Sequence, residues 1–180
     1  MCISLIPAGF VEADVSDKNA QLIQAAKDGN LPAVQTALAD GADINAKDIA
    51  IGATSLMWAI QNGHTEIAKL LIEKGAEVNA KATNNGTTAL ILAAENGYIE
   101  VVKSLLEKGA DVNMKATADG ITALMAAAAN GSTEIVKLLI EKGADVNTKA
   151  TLHGGTALIQ AANKGHTEIV KLLLAKGAEM

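Results

Sequence analysis

The sequence predicts an all-α repeat solenoid, made of stacked helix-turn-helix units joined by β-hairpin-like loops. Three observations carry that expectation. The phrase EKGADVN stands at 107–113 and at 141–147, with EKGAEVN at 73–79 and looser copies ADGADIN at 39–45 and AKGAEM at 175–180. Its glycines, Gly41, Gly75, Gly109, Gly143 and Gly177, recur every 34 residues. A fixed period of this size marks an array of like units, none of which buries its apolar face alone. Inside each period, apolar residues fall at helical spacing in two short runs. Finally, 49% of residues are hydrophobic but only 2% aromatic. The core must therefore be thin layers of Ala, Leu, Ile and Val, which let helices approach closely.

The stretch 81–113, KATNNGTTALILAAENGYIEVVKSLLEKGADVN, shows how one unit works. Thr88 is placed to cap a first helix, its hydroxyl accepting an orphan backbone N–H. Ala89, Leu90, Leu92, Ala93 and Ala94 then give that helix its apolar side. Asn96-Gly97 ends it, with Gly97 in the left-handed conformation that closes a helix rather than in a hairpin turn. A second helix runs from about Ile99 to Lys108, with Val101, Val102, Leu105 and Leu106 inward and Glu100, Lys103 and Glu107 outward. A Lys103–Glu107 pair one turn apart would add a few tenths of a kcal/mol. Gly109 stops this helix, and a stretch without helical periodicity runs on to Gly120.

The composite pattern G-x-T-A-L-x-x-A-A-x-x-G-x-x-E-V-V-K-x-L-L-E-K-G-A-D-V-N resembles the ankyrin repeat, whose usual length is about 33 residues. Four long copies are anchored at Gly52, Gly86, Gly120 and Gly154, after a shortened first copy. The resemblance gives repeats at about 17–47, 48–81, 82–115, 116–149 and 150–180, so residues 17–180 form the repeat domain and 1–16 a leader. Two departures stand out. The loop between Asn79 and Gly86 is one residue longer than the family's. Its Thr-Pro-Leu-His motif reads Thr54-Ser55-Leu56-Met57, Thr88-Ala89-Leu90-Ile91, Thr122-Ala123-Leu124-Met125 and Thr156-Ala157-Leu158-Ile159.

Composition narrows the function. The chain carries 15 Lys, no Arg and 20 Asp plus Glu, for a formal charge of −5. Nucleic-acid binders show a basic stripe or aromatic stacking platforms, so nucleic acid is not expected as a partner. No apolar run reaches the roughly 18 residues of a membrane span. Cys2 is the single cysteine, too few for a disulfide or a thiolate metal cluster. Residues 1–16 are apolar at first and contain Val11-Glu12-Ala13, a small-x-Ala spacing of the kind signal peptidases cut, but nothing basic precedes Lys18. They read either as the tail end of an export signal whose start lies upstream or as an unstructured terminus. Export, to a periplasm or the exterior, is preferred to a cytoplasmic location.

Positions alike in every copy hold the repeat; positions that differ are free for another task. The resemblance implies a protein partner bound through the hairpin tips and the concave face of the first helices. The variable tip residues are Ala50, Ile51, Asn84, Asn85, Ala118, Asp119, Leu152 and His153, followed past each glycine by Ala53, Thr87, Ile121 and Gly155. At the first-helix ends lie Gln61, Glu95, Ala129 and Asn163. The blander reading of each is ordinary drift on a solvated surface. Met57, Ile91, Met125 and Ile159 form an apolar column that fills core beneath the loop rather than a patch, and Trp58 reads as core or, a single large indole among small residues, as a protruding side chain. His64 and His166 share a slot three repeats apart and cannot share one metal, and no nucleophile–base arrangement can be assembled. Glu66, Glu100, Glu134 and Glu168 recur at second-helix starts, where the helix dipole favours them. The expectation is a monomeric, non-enzymatic protein-binding module without cofactor. A self-associating protein docking through its last helix, or a small enzyme with a groove site, is the alternative.

Overall fold

The computed structural model describes residues 9–151 and 155–179. Among them the chain forms ten helices and no regular strand. They are α1 (Gly9–Asp28), α2 (Leu31–Ala39), α3 (Ser55–Gln61), α4 (Thr65–Glu73), α5 (Ala89–Glu95), α6 (Ile99–Glu107), α7 (Ala123–Asn130), α8 (Thr133–Glu141), α9 (Ala157–Asn163) and α10 (Thr167–Ala175). Helix α1 starts inside the segment expected as a leader, whose residues 1–8 lie outside the described part.

In the four long copies each first helix starts where a buried threonine turns back to cap it. The hydroxyls of Thr54, Thr88, Thr122 and Thr156 accept the N–H three residues on, each at 3.3 Å. Left-handed glycines close the helices, as at Gly97 (φ 76°) and Gly109 (φ 84°). The position of the family's proline is occupied by Ser55, whose buried hydroxyl meets no partner, and by alanine in the later copies.

The helices stack in two rows, α1-α3-α5-α7-α9 and α2-α4-α6-α8-α10. The first row is the tighter because its contact faces are alanine: Ala59, Ala93, Ala94, Ala127, Ala128 and Ala161 are wholly buried. One continuous core runs from Leu22 to Ala178. A smaller cluster of Ala53, Met57, Ala80 and Ala82 lies under the loops.

Backbone polarity is satisfied from repeat to repeat by the asparagine that ends the repeated phrase. Asn79 Oδ1 accepts Asp111 N–H at 2.8 Å while its Nδ2 donates to Gly109 O at 3.1 Å. Asn113 and Asn147 do the same one and two repeats on. At the start of the stack Asn19, from α1, takes the place of a missing copy and accepts Asp43 N–H at 2.7 Å. Lysines repeat a similar device, Lys47 Nζ donating to Lys81 O at 2.9 Å and Lys81 Nζ to Lys115 O at 2.8 Å.

The expected Lys103–Glu107 pair does not form. Lys103 instead meets Glu100 at 2.9 Å and Glu134 of the next repeat at 3.8 Å, and Lys137 meets Glu168 at 3.5 Å. Helical side chains lean toward the helix N-terminus, which carries the ammonium back to the first-turn glutamates. The hydrogen bond from Lys103 holds the Glu100 carboxyl below its ordinary value, and the same bond raises Lys103.

Candidate functional site

The loops that lead into the first helices close on themselves and then on each other. Ala82 N–H donates to Thr87 O at 3.0 Å, and Ala116 N–H to Ile121 O at 2.9 Å. Antiparallel bridges pair Lys47 with Thr54 and Lys81 with Thr88, so the loops are hairpin-like. Successive loops are then bonded: Thr83 N–H reaches Ile51 O at 2.9 Å, Thr117 N–H reaches Asn85 O at 2.8 Å, and Thr151 N–H reaches Asp119 O at 2.7 Å. Such close passage needs glycine beside it. At Gly86, with φ 70°, an added Cβ would lie 2.6 Å from the Thr117 backbone nitrogen.

This ladder brings most of the variable residues together. Ile51, Ala53, Gln61, Asn84, Asn85 and Thr87 border one small cleft, with Met57, Trp58 and Leu92 among its walls. Asn85, Thr87, Glu95, Asp119, Ile121 and Ala129 border a second, of about 470 Å³, which Gln160 and Lys164 complete. Asn85 and Thr87 belong to both, so the two clefts adjoin. Ala50 and Ala118 stand exposed at loop tips, and Asn163 is exposed on α9. Ala53 and Gly155 are buried, which limits what they can present. Leu152 and His153 lie outside the described residues. Met57, Ile91 and Met125 are at most 4% exposed and belong to the core, while Ile159 is half-buried.

His64 and His166 act between repeats. Their Nε2 atoms lie 3.0 Å from Lys27 O and 3.1 Å from Ala129 O, tying each ring to the preceding first helix. Among the described residues no group of three or more His, Cys, Asp or Glu side chains is arranged to hold a metal ion.

One cluster escaped the sequence reading. Trp58 is half-buried, and its indole N–H donates to Asp48 Oδ2 at 2.6 Å. Lys27 Nζ lies 3.6 Å from the same oxygen and 4.1 Å from the Trp58 ring centroid, a cation–π contact. Asp48 Oδ1 accepts the N–H groups of Ile51 and Gly52 at 2.9 and 3.0 Å. Burial pushes the Asp48 carboxyl up, but the bonds from Ile51, Trp58 and Ala53 and the charge of Lys27 together hold it below its ordinary value. The signal was present in the sequence: Asp48 is the polar member of a column otherwise Ala82, Ala116 and Ala150, and Trp58 the aromatic member of a column with Leu92, Ala126 and Gln160. Beside this cluster, between α1 and the first loop, lies the larger groove of about 820 Å³.

Stacked helix pairs with bonded hairpin loops define an all-α repeat solenoid. The sequence profile described as "Ankyrin repeats (3 copies)" matches residues 22–116 and 113–180, and the chain belongs to the ankyrin repeat family. Ankyrin repeats are, as a class, protein–protein interaction modules and typically non-catalytic. Comparison with curated proteins finds no match. No helix among the described residues is long and apolar enough to cross a membrane.

Proposed function

We propose that the chain is a non-catalytic module that seats a protein partner along its hairpin tips and first-helix face. The observation that carries this reading is the gathering of ten variable positions around two adjoining clefts that share Asn85 and Thr87. Residues that differ between copies, brought to one face, give each rung its own chemistry. The opposite face repeats its lysine–glutamate pairs, Lys69–Glu66 and Lys103–Glu100 within helices and Lys103–Glu134 and Lys137–Glu168 between repeats. Immobilising those long side chains would cost rotamer entropy for little specificity. The second cleft has an apolar floor with Ile121 and Met125, and carboxylates at Glu95 and Asp119 that form no ion pair among the described residues. The test is recovery of a binding partner from the native host, followed by charge substitutions. Lysine at Ile51, Asn85 or Ile121 should weaken the complex, and glutamate at Lys69, Lys103 or Lys137 should matter far less. Decisive outer-face lysines with indifferent tips would sink the reading.

A second reading rests on the last helix pair. Ala162 is exposed where Ala94 and Ala128 are wholly buried, and Leu174 is 51% exposed. This uncovered face suits docking on another copy. Light scattering over a concentration series tests it, and a strict monomer argues against it.

A further inference from the structure

The ladder of hairpin loops is open at its first rung. In the inner rungs one carbonyl receives two consecutive amides of the following loop. Ile51 O accepts from Thr83 and Asn84 at 2.9 and 3.3 Å, and Asn85 O accepts from Thr117 and Ala118 at 2.8 and 3.1 Å. One period earlier, the corresponding amides are those of Ile49 and Ala50. Among the described residues no acceptor meets either of them. The loop that would have supplied one does not exist, because α1 runs as unbroken helix through the corresponding stretch.

This rung is held ready rather than frayed. Asp48 grips the loop through the Ile51 and Gly52 amides and is itself fixed by Trp58 and Lys27, a brace that the alanines of the other loops cannot supply. The Ile49 side chain stands wholly in solvent, at 105% relative exposure. Behind it lies the groove of about 820 Å³ against α1, with Ala20, Ile23 and Ala46 in its wall and Val15 on its border. Val15 and Ile49 are two of the three exposed large hydrophobic side chains among the described residues. Unpaired loop-tip amides beside exposed apolar side chains leave the place that the following loop fills in the inner rungs, and that an added extended chain can fill here.

We propose that this open rung is a docking edge for an extended polypeptide segment of a partner protein. A backbone carbonyl of that segment takes the Ile49 and Ala50 amides as Ile51 O takes those of Thr83 and Asn84, and its aliphatic side chains enter the groove along α1. The surface extends an interface that the chain already makes with itself, rung on rung. The charges favour a neutral carbonyl over a free anion. Lys27 is committed to Asp48 and Trp58, Lys47 to Lys81 O, and the carboxylates of Asp43 and Asp48 flank the groove. This inference does not depend on the first-helix clefts.

The test uses the full chain and a phage-displayed library of random dodecapeptides, with one enriched clone synthesised for titration. Enriched sequences should be rich in aliphatic and β-branched residues. Saturating peptide should slow hydrogen exchange at the Ile49 and Ala50 amides by about tenfold or more. Ile49→Asp and Ala50→Pro should each weaken binding by about tenfold or more, while Ile121→Asp in the second cleft should change it by less than about twofold. Both loop residues are exposed and their amides bond nothing, so circular dichroism of the variants should match the parent. The proposal is overturned if enriched peptides depend on Ile121 but not Ile49, if no clone responds to Ile49→Asp, or if the face proves to be occupied only by a second copy in light scattering.

Discussion

Single residues carry three separate tests. Leu105 is wholly buried between repeats, and Leu105→Ala should cost about 2–5 kcal/mol through lost transfer energy and the cavity left behind. Chemical denaturation measures it, and a cost under about 1 kcal/mol would show that the layer collapses around the hole. Ser55 runs the other way. Its buried hydroxyl has no partner, and the same slot holds Ala89, Ala123 and Ala157 without strain, so Ser55→Ala should raise stability, by about 1 kcal/mol. Asp48 supplies the pH dependence. Its folded-state value lies below its ordinary one, so the ionised group stabilises the fold above the unfolded value of about 4. That contribution fades as pH falls through the folded value. The stability difference between wild type and Asp48→Asn should therefore be widest near neutrality and shrink on acidification below about pH 4. A difference that fails to shrink below that pH would separate Asp48 from the effect.

At the scale of the element, the loop and the helix that follows it behave as one unit. The threonine that ends the hairpin is also the helix cap, so Thr122→Ala removes the bond to Met125 N–H at a cost of about 0.5–2 kcal/mol. Gly86→Ala should be worse, because it forces a side chain into a positive-φ position against Thr117. Native-state hydrogen exchange should then show the Thr117 amide, bonded to Asn85 O, losing protection before amides in α7 do. Much of this was legible in the residues. Period, capping threonines, terminating glycines and both helices of each unit follow from spacing and capping chemistry. Bonds that cross between repeats were not legible in the same way. Asn79 reaching Asp111, or His166 reaching Ala129 O, joins residues more than thirty positions apart, and a periodic pattern says only that such neighbours exist. The first loop was missed for a related reason: Lys27, Asp48 and Trp58 are each unremarkable alone and become a cluster only when α1 packs against α3.

For the whole molecule, stability is expected to be a sum over repeats and the interfaces between neighbours. Among the residues whose burial is described, the buried ones of α1 begin at Leu22, and Asn19, which caps the asparagine series, lies beyond residue 16. Removing residues 1–16 should thus move the thermal midpoint little, by no more than about 2–4 °C. A larger fall would mean that the repeat domain begins earlier than residue 17. The two ends are also unlike. The first repeat is sealed by a long helix, whereas the last leaves Ala162 and Leu174 uncovered. Fraying should start at α9 and α10.

The asparagine series has a mechanical meaning. Each member clamps only the next repeat, at a backbone amide and a carbonyl, so tension applied between the chain ends is borne by one junction at a time rather than shared. Pulled in an optical trap, the protein should yield by successive small rips rather than one large one. The first should open where Asn147 holds Gly177 and Glu179, the junction of the helix pair that bears the exposed Ala162 and Leu174. Each rip should release about 110–120 Å of contour, the extended length of one 34-residue period. Asn113→Ala should lower the force of a single middle step and leave the others alone.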